Sequence, residues 1–268
     1  MKFLFKMVLV KLIFFQFLNS ILAETSEEKA LRISIDAYNY DKGFGDFTSS
    51  SIMTLRNKQG EESIRYFRGK TLEVENDGDK TLFIFDSPKD VKGTATLTFS
   101  HKIDPDDQWL YLPALKRVKR ITSDNRSGSF VGSEFAYEDL GSQELEKYKD
   151  RKYLKNEQCP NEPKLLCHVI SRVPTESSSG YKYQILWLDD TVAHKIWKIE
   201  FYDRKGAHLK TLLFGDYKLY LEKHWRPSIY KMSNHQTGKS TDLIVNNIKF
   251  KVGLSSKDFN QRTLSRVR

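Results

Sequence analysis

Residues 107–140 read DQWLYLPALKRVKRITSDNRSGSFVGSEFAYEDL. Trp109-Leu110-Tyr111-Leu112 alternates two aromatics with two leucines, so a short strand here is apolar on both faces. Pro113 stops it. A basic hairpin arm follows, Lys116-Arg117-Val118-Lys119-Arg120-Ile121. The chain then enters a Gly/Ser loop from Ser127 to Tyr137 that sets Phe130, Phe135 and Tyr137 among Gly128 and Gly132. Surface loops are mostly polar, and long ones without structure of their own are often functional. Aromatics on such a loop either plug the end of a core or act as a lid.

Outward from this stretch the period is two. On the N-terminal side, Thr94 to His101 alternates cleanly, with Ala95, Leu97 and Phe99 facing one way and Thr94, Thr96 and Thr98 the other. Lys80 to Phe85, Thr71 to Glu75, Ser63 to Gly69 and Phe47 to Leu55 read as strands separated by Gly- and Asn-containing turns. On the C-terminal side, strands are expected at Leu165–Val173, Tyr181–Leu188, His194–Tyr202, Ala207–Tyr220, His224–Asn234 and Thr241–Val252. Residues 140–153 hold a short helix and a strand. Glu24 to Tyr40 is an amphipathic helix, with Ala30, Ile33, Ala37 and Tyr38 on one face and an N-cap at Thr25-Ser26. No crossover helix separates the strands, so the sheet is antiparallel. A sheet of about ten or more strands curls, and helix and loop fill its concave side. The fold class is mainly β, one curved antiparallel sheet in a single domain over residues 24–268.

Residues 1–23 read as an export leader: Lys2 and Lys6, an apolar run from Met7 to Leu18, and a cut after Ala23. The formal charge of +9 falls to +6 without the leader's three lysines. With export, that points to anionic lipid surfaces rather than nucleic acid. Cys159 and Cys167 are the chain's two cysteines, and in an exported protein they read as a disulfide.

Catalytic signatures are absent. The six histidines are scattered, no G-x-S-x-G elbow occurs, and Gly238-Lys239-Ser240 lacks the upstream glycine of a phosphate loop. The acidic run Asp104-Pro105-Asp106-Asp107 breaks the calcium-loop spacing and reads as a solvated turn. Neither a metal nor a cofactor is expected. What remains is excess apolar surface at Trp109–Leu112, Leu82–Phe85 and Leu186–Leu188, which calls for a concave side that is either packed or holds a greasy ligand.

The pattern W-x-Y-x-P, then K-R-V-K-R-I, then G-S-F-V-G-S-E-F-x-Y-E-D-L resembles the outer-membrane lipoprotein-sorting family, the LolA-like carriers. Glu134 stands where that branch usually has Asp. The resemblance implies a half-open β-barrel lidded by helix and loop, with a hollow for acyl chains. It implies a non-enzymatic periplasmic carrier of lipid or lipoprotein that works with an inner-membrane transporter, such as an RND-type exporter. The alternative is a sensor or adaptor that docks on a membrane partner. Residues expected to bind acyl chains are Phe99, Trp109, Tyr111, Leu112, Phe130, Phe135 and Tyr137. Lys116, Arg117, Lys119 and Arg120 are expected to dock on an anionic membrane surface or an acidic partner, or else to solvate a strand edge.

Overall fold

The computed structural model describes residues 23–266. The expected leader lies, except for Ala23, outside the described residues. Helix α1 (Ser26–Asp41) comes first. Thr25 caps it: its hydroxyl accepts from the Glu28 N–H at 3.2 Å while the Glu28 carboxylate accepts from the Thr25 N–H at 2.9 Å. Thirteen strands follow: β1 (Asp46–Arg56), β2 (Glu62–Leu72), β3 (Lys80–Ser87), β4 (Ala95–Phe99), β5 (Asp107–Leu112), β6 (Arg117–Ile121), β7 (Tyr148–Cys159), β8 (Glu162–Pro174), β9 (Tyr181–Asp189), β10 (Ile196–Asp203), β11 (His208–Tyr220), β12 (His224–Asn234) and β13 (Ser240–Phe250).

They form one antiparallel sheet in the order β6-β5-β4-β3-β2-β1-β13-β12-β11-β10-β9-β8-β7. The first and last strands therefore pair at the centre, and every connection but one joins neighbours. The exception is decisive. β6 and β7 are consecutive in the chain yet stand at opposite edges of the sheet. Residues 122–147 must cross from one edge to the other, over the face that α1 also covers. Phe130 and Phe135 of this segment pack into the same core as Ala30 and Ile33 of α1, which makes it a cover on that face. It contains short 3-10 turns, among them Phe130–Gly132, Tyr137–Leu140 and Leu145–Lys147; the last, followed by β7, is the short helix and strand expected over residues 140–153.

The inner face carries the main core, including Met53, Phe67, Phe85, Ile170, Leu186, Ile199, Phe201, Leu212 and Met232, together with Ala30 and Ile33 of α1 and Phe130 and Phe135 of the cover. A separate cluster lies on the outer face: Leu82, Ile84, Ala95 and Leu97 pack against Phe259 and Leu264 of the C-terminal segment. Cys159 and Cys167 are disulfide-bonded across the β7–β8 hairpin, Cα atoms 5.0 Å apart, beside Trp187 and Trp197.

The expected break at Gly69 does not occur. β2 runs through it to Leu72. A Cβ on Gly69 would lie 2.7 Å from the Ser49 hydroxyl and 3.2 Å from the Phe83 ring, so this glycine serves close approach rather than a turn.

Candidate functional site: a lidded apolar hollow

Strand alternation puts Phe47, Ser49, Ser51 and Met53 of β1 on the inner face, with Phe67 of β2 and Phe83 of β3 beside them. Leu243 and Val245 of β13, Leu212 and Phe214 of β11 and Tyr230 of β12 continue the same wall. Between this wall and the cover is a chamber of about 420 Å³. A second chamber of about 750 Å³ lies toward α1, bounded by Ala37, Tyr38, Ile170, Leu186 and Leu188. The two share Phe47, Gln143, Arg172, Phe214, Arg226 and Tyr230, so they are compartments of one hollow. Burial pushes the Tyr230 hydroxyl up to about 12. Burial, reinforced by the nearby Glu144 and Glu73, pushes the Asp79 carboxyl on the second chamber's wall up to about 7.

Phe130 lines the first chamber. It is buried, with ring centroids 5.7 Å from Phe85, 6.2 Å from Phe83 and 5.8 Å from Tyr137. Phe135 lines the same chamber. Tyr137 lines neither chamber; it backs Phe130, and burial raises its hydroxyl pKa. The tip between the two phenylalanines is tight. Val131 and Gly132 both take left-handed φ values, 47° and 79°. That is natural for glycine and strained for a β-branched residue. Gly128 has an ordinary φ, but a Cβ there would come within 3.0 Å of the Asn125 carbonyl.

Polar contacts tie the cover down on both sides. Lys210 of β11 forms a buried ion pair with Asp139 at 2.7 Å and donates to the Glu134 carbonyl at 3.0 Å. Asp139 also accepts from the Tyr181 hydroxyl of β9 at 2.8 Å and from the Ala136 N–H at 2.7 Å. Burial beside Asp139 and Glu138 holds the Tyr181 hydroxyl well above its ordinary pKa. Glu138 accepts from the Ser179 hydroxyl and the Gly180 N–H, and burial raises its own pKa. Asn234 and Thr241 reach Glu134 from β12 and β13. Gln108 of β5 donates to the Tyr137 carbonyl at 2.8 Å. Arg126 pairs with Glu176. The acidic run is less solvated than its sequence suggests: Asp106 is partly buried and pairs with Lys147 at 2.7 Å.

Three of the aromatics assigned to the hollow from sequence lie elsewhere. Phe99, Trp109 and Tyr111 pack on the outer cluster with Phe259 and Leu264. On the other face of β4 and β5, the fully buried residues are polar: Thr96, Thr98 and Gln108, the last donating to the Tyr137 carbonyl of the cover. Leu112, at the end of β5, lines neither chamber. The basic arm is the free edge of the sheet. Lys116, Arg117, Lys119 and Arg120 are all exposed, and Arg120 pairs with Asp107. The ties made by Lys210, Asp139, Glu138 and Tyr181 went unread in the sequence, although Lys210 stands in phase with Leu212 and Phe214, where an apolar residue belongs.

Among the described residues no helix is long and apolar enough to cross a membrane. A comparison with curated proteins found no match. A protein-family model described as "-like: Uncharacterized protein" matches residues 77–266. A crystal structure of an outer membrane lipoprotein-sorting protein domain from Vibrio parahaemolyticus is 53% identical, superposes with a TM-score of 0.86, and is matched over 90% of this chain and 100% of that one. A DUF1329 family protein from Desulfovibrio piger (24% identity, TM-score 0.82, 90% and 99% of the two chains) has the same fold. So does a LolA superfamily protein from Nitrosomonas europaea (19% identity, TM-score 0.67, 86% and 97%). With a relative this similar matched from end to end, the chain belongs to the outer membrane lipoprotein-sorting protein family.

Proposed function

We propose that this protein is a periplasmic carrier that takes acyl chains of lipids or lipoproteins into the hollow and hands them on toward the outer membrane. The observation that carries the reading is the pair of joined chambers beneath a segment that the topology forces across the mouth. Capture needs no chemistry: each methylene leaving water contributes about 0.8 kcal/mol. Release needs the 122–147 segment to move or a better acceptor to compete. A leader over residues 1–23 would bring the protein to an inner-membrane donor, for which an RND-type exporter is a candidate. The exposed basic edge at Lys116–Arg120 suits an anionic membrane surface there.

Titration with a fluorescent fatty-acyl probe tests the reading. Saturable, blue-shifted emission is expected for the native chain. Val245 lines the first chamber on the central strand β13. Val245→Trp should fill that space and weaken probe binding about tenfold or more, at a stability cost of about 1–3 kcal/mol. Equal binding by both proteins would place the probe outside the hollow and defeat the proposal.

A further inference from the structure

The hollow's walls carry cations, and most have a carboxylate. Arg126 pairs with Glu176, Lys147 with Asp106, Lys195 with Asp189 and Arg226 with Asp41. Arg172 differs. It stands on the inner face of β8, 8% exposed, on the wall common to both chambers. Its Nε donates to the Gln184 side-chain oxygen at 2.9 Å, and its Nη2 donates to that of Gln143. Its guanidinium lies 3.4 Å from the centroid of the Tyr148 ring. All three partners are neutral, and among the described residues Arg172 forms no ion pair. Burial draws its pKa down to about 10, so it keeps its charge at neutral pH.

Apart from exposed Lys42, which lies over the Tyr38 ring, Arg151 of the neighbouring β7 is the second exception. It lines the larger chamber and donates to the backbone carbonyls of Tyr148 and Leu145. Its buried Nε has no partner. Arg151 is close enough to Arg172 for their like charges to oppose each other. The β7 register shifts between Lys149 and Lys152, which pair with Val173 and Ser171 of β8, so Arg151 stands opposite Arg172. Glu146 is the carboxylate that acts on Arg151, but it forms no ion pair with it among the described residues. Two guanidinium groups hydrogen-bonded only to neutral acceptors at a mostly apolar void favour an anion between them. Guanidinium forks match phosphate and carboxylate oxygens.

Building on the carrier reading, we propose that Arg172 and Arg151 form an anion site inside the hollow for the phosphate or carboxylate of an acyl-bearing amphiphile. The acyl chain then occupies the apolar wall of β1, β11 and β13, and the charged end meets β7 and β8. The ligand enters with its anionic group buried rather than left in solvent, which selects acidic amphiphiles over neutral ones.

The test compares three probes on the full chain: 1-palmitoyl glycerol 3-phosphate, 1-palmitoyl glycerol and inorganic phosphate. The phosphate amphiphile should bind at least about tenfold more tightly than its neutral counterpart. Arg172→Met should abolish that preference, so that the two amphiphiles bind within about twofold of each other. Arg151 is only partly buried, so Arg151→Gln should fold without difficulty and reduce the preference several-fold. Equal binding of the two amphiphiles by the native chain, or a preference that survives both substitutions, would overturn the anion site while leaving the carrier reading intact. Binding of neither amphiphile would remove the carrier reading itself. If inorganic phosphate alone bound, and did so through Arg172, the site would serve a free anion and the amphiphile proposal would fail.

Discussion

Lys210→Met should lower stability by about 3–5 kcal/mol, one of the largest losses expected from any single substitution in this chain. Both partners of the pair are nearly sealed, with 4% of the Lys210 side chain and 7% of the Asp139 side chain exposed. Removing the ammonium leaves Asp139 as a charge in a low-dielectric site, although the Tyr181 hydroxyl and the Ala136 N–H still reach it. The loss should show as a fall in the urea midpoint with little change in slope. Adding Asp139→Asn to Lys210→Met should recover more than half of it, because a neutral amide needs no counter-charge and can still accept from Tyr181. The amides of Phe130 and Ser133 should exchange faster in the single variant, since the ion pair holds their segment to β11. A loss below about 1 kcal/mol, or no recovery in the double variant, would show that Lys210 is not what secures the cover.

Phe130→Ala should cost about 3–5 kcal/mol, the range for deleting a fully packed phenylalanine. The ring is only 2% exposed and touches aromatics on two sides. The same ring also borders the first chamber. Its removal should therefore act twice. Stability falls, and an acyl probe should leave faster because the barrier between chamber and solvent is thinner. Phe130→Leu should restore most of the stability and part of the retention. A destabilised protein whose probe leaves at the native rate would reduce Phe130 to a core plug with no role in retention.

Much of the fold was legible in the alternation of residues. β12 lies over the span expected for it, and β9 extends only one residue beyond its expected end. The disulfide followed from compartment and count. Which face of an alternating strand is inner was not legible. Trp109 and Tyr111 alternate with Leu110 and Leu112, so parity alone gives two apolar faces and no means to choose. Phe259 and Leu264, remote in sequence and close to a basic tail, settle it by packing on the outer side. On the covered side, the Thr98 hydroxyl accepts from the Gln108 amide, and Gln108 in turn donates to the Tyr137 carbonyl of the cover.

Individual charges were partly legible. Ile170 and Arg172 are two apart on β8, and Lys210 and Leu212 two apart on β11, so both cations share the parity of core residues. A charge in that phase marks a buried partner or a ligand. The partner's identity was out of reach, since Asp139 is 71 residues from Lys210 and no local pattern joins them.

The most direct measurement is native mass spectrometry of the full chain recovered without detergent from bacteria that produce it. If the hollow holds acyl chains, part of the protein should carry an added mass that organic extraction releases as a lipid or acylated peptide. Val245→Trp, prepared the same way, should carry much less. Bare polypeptide mass in both preparations, with no lipid in the extract, would contradict the carrier reading.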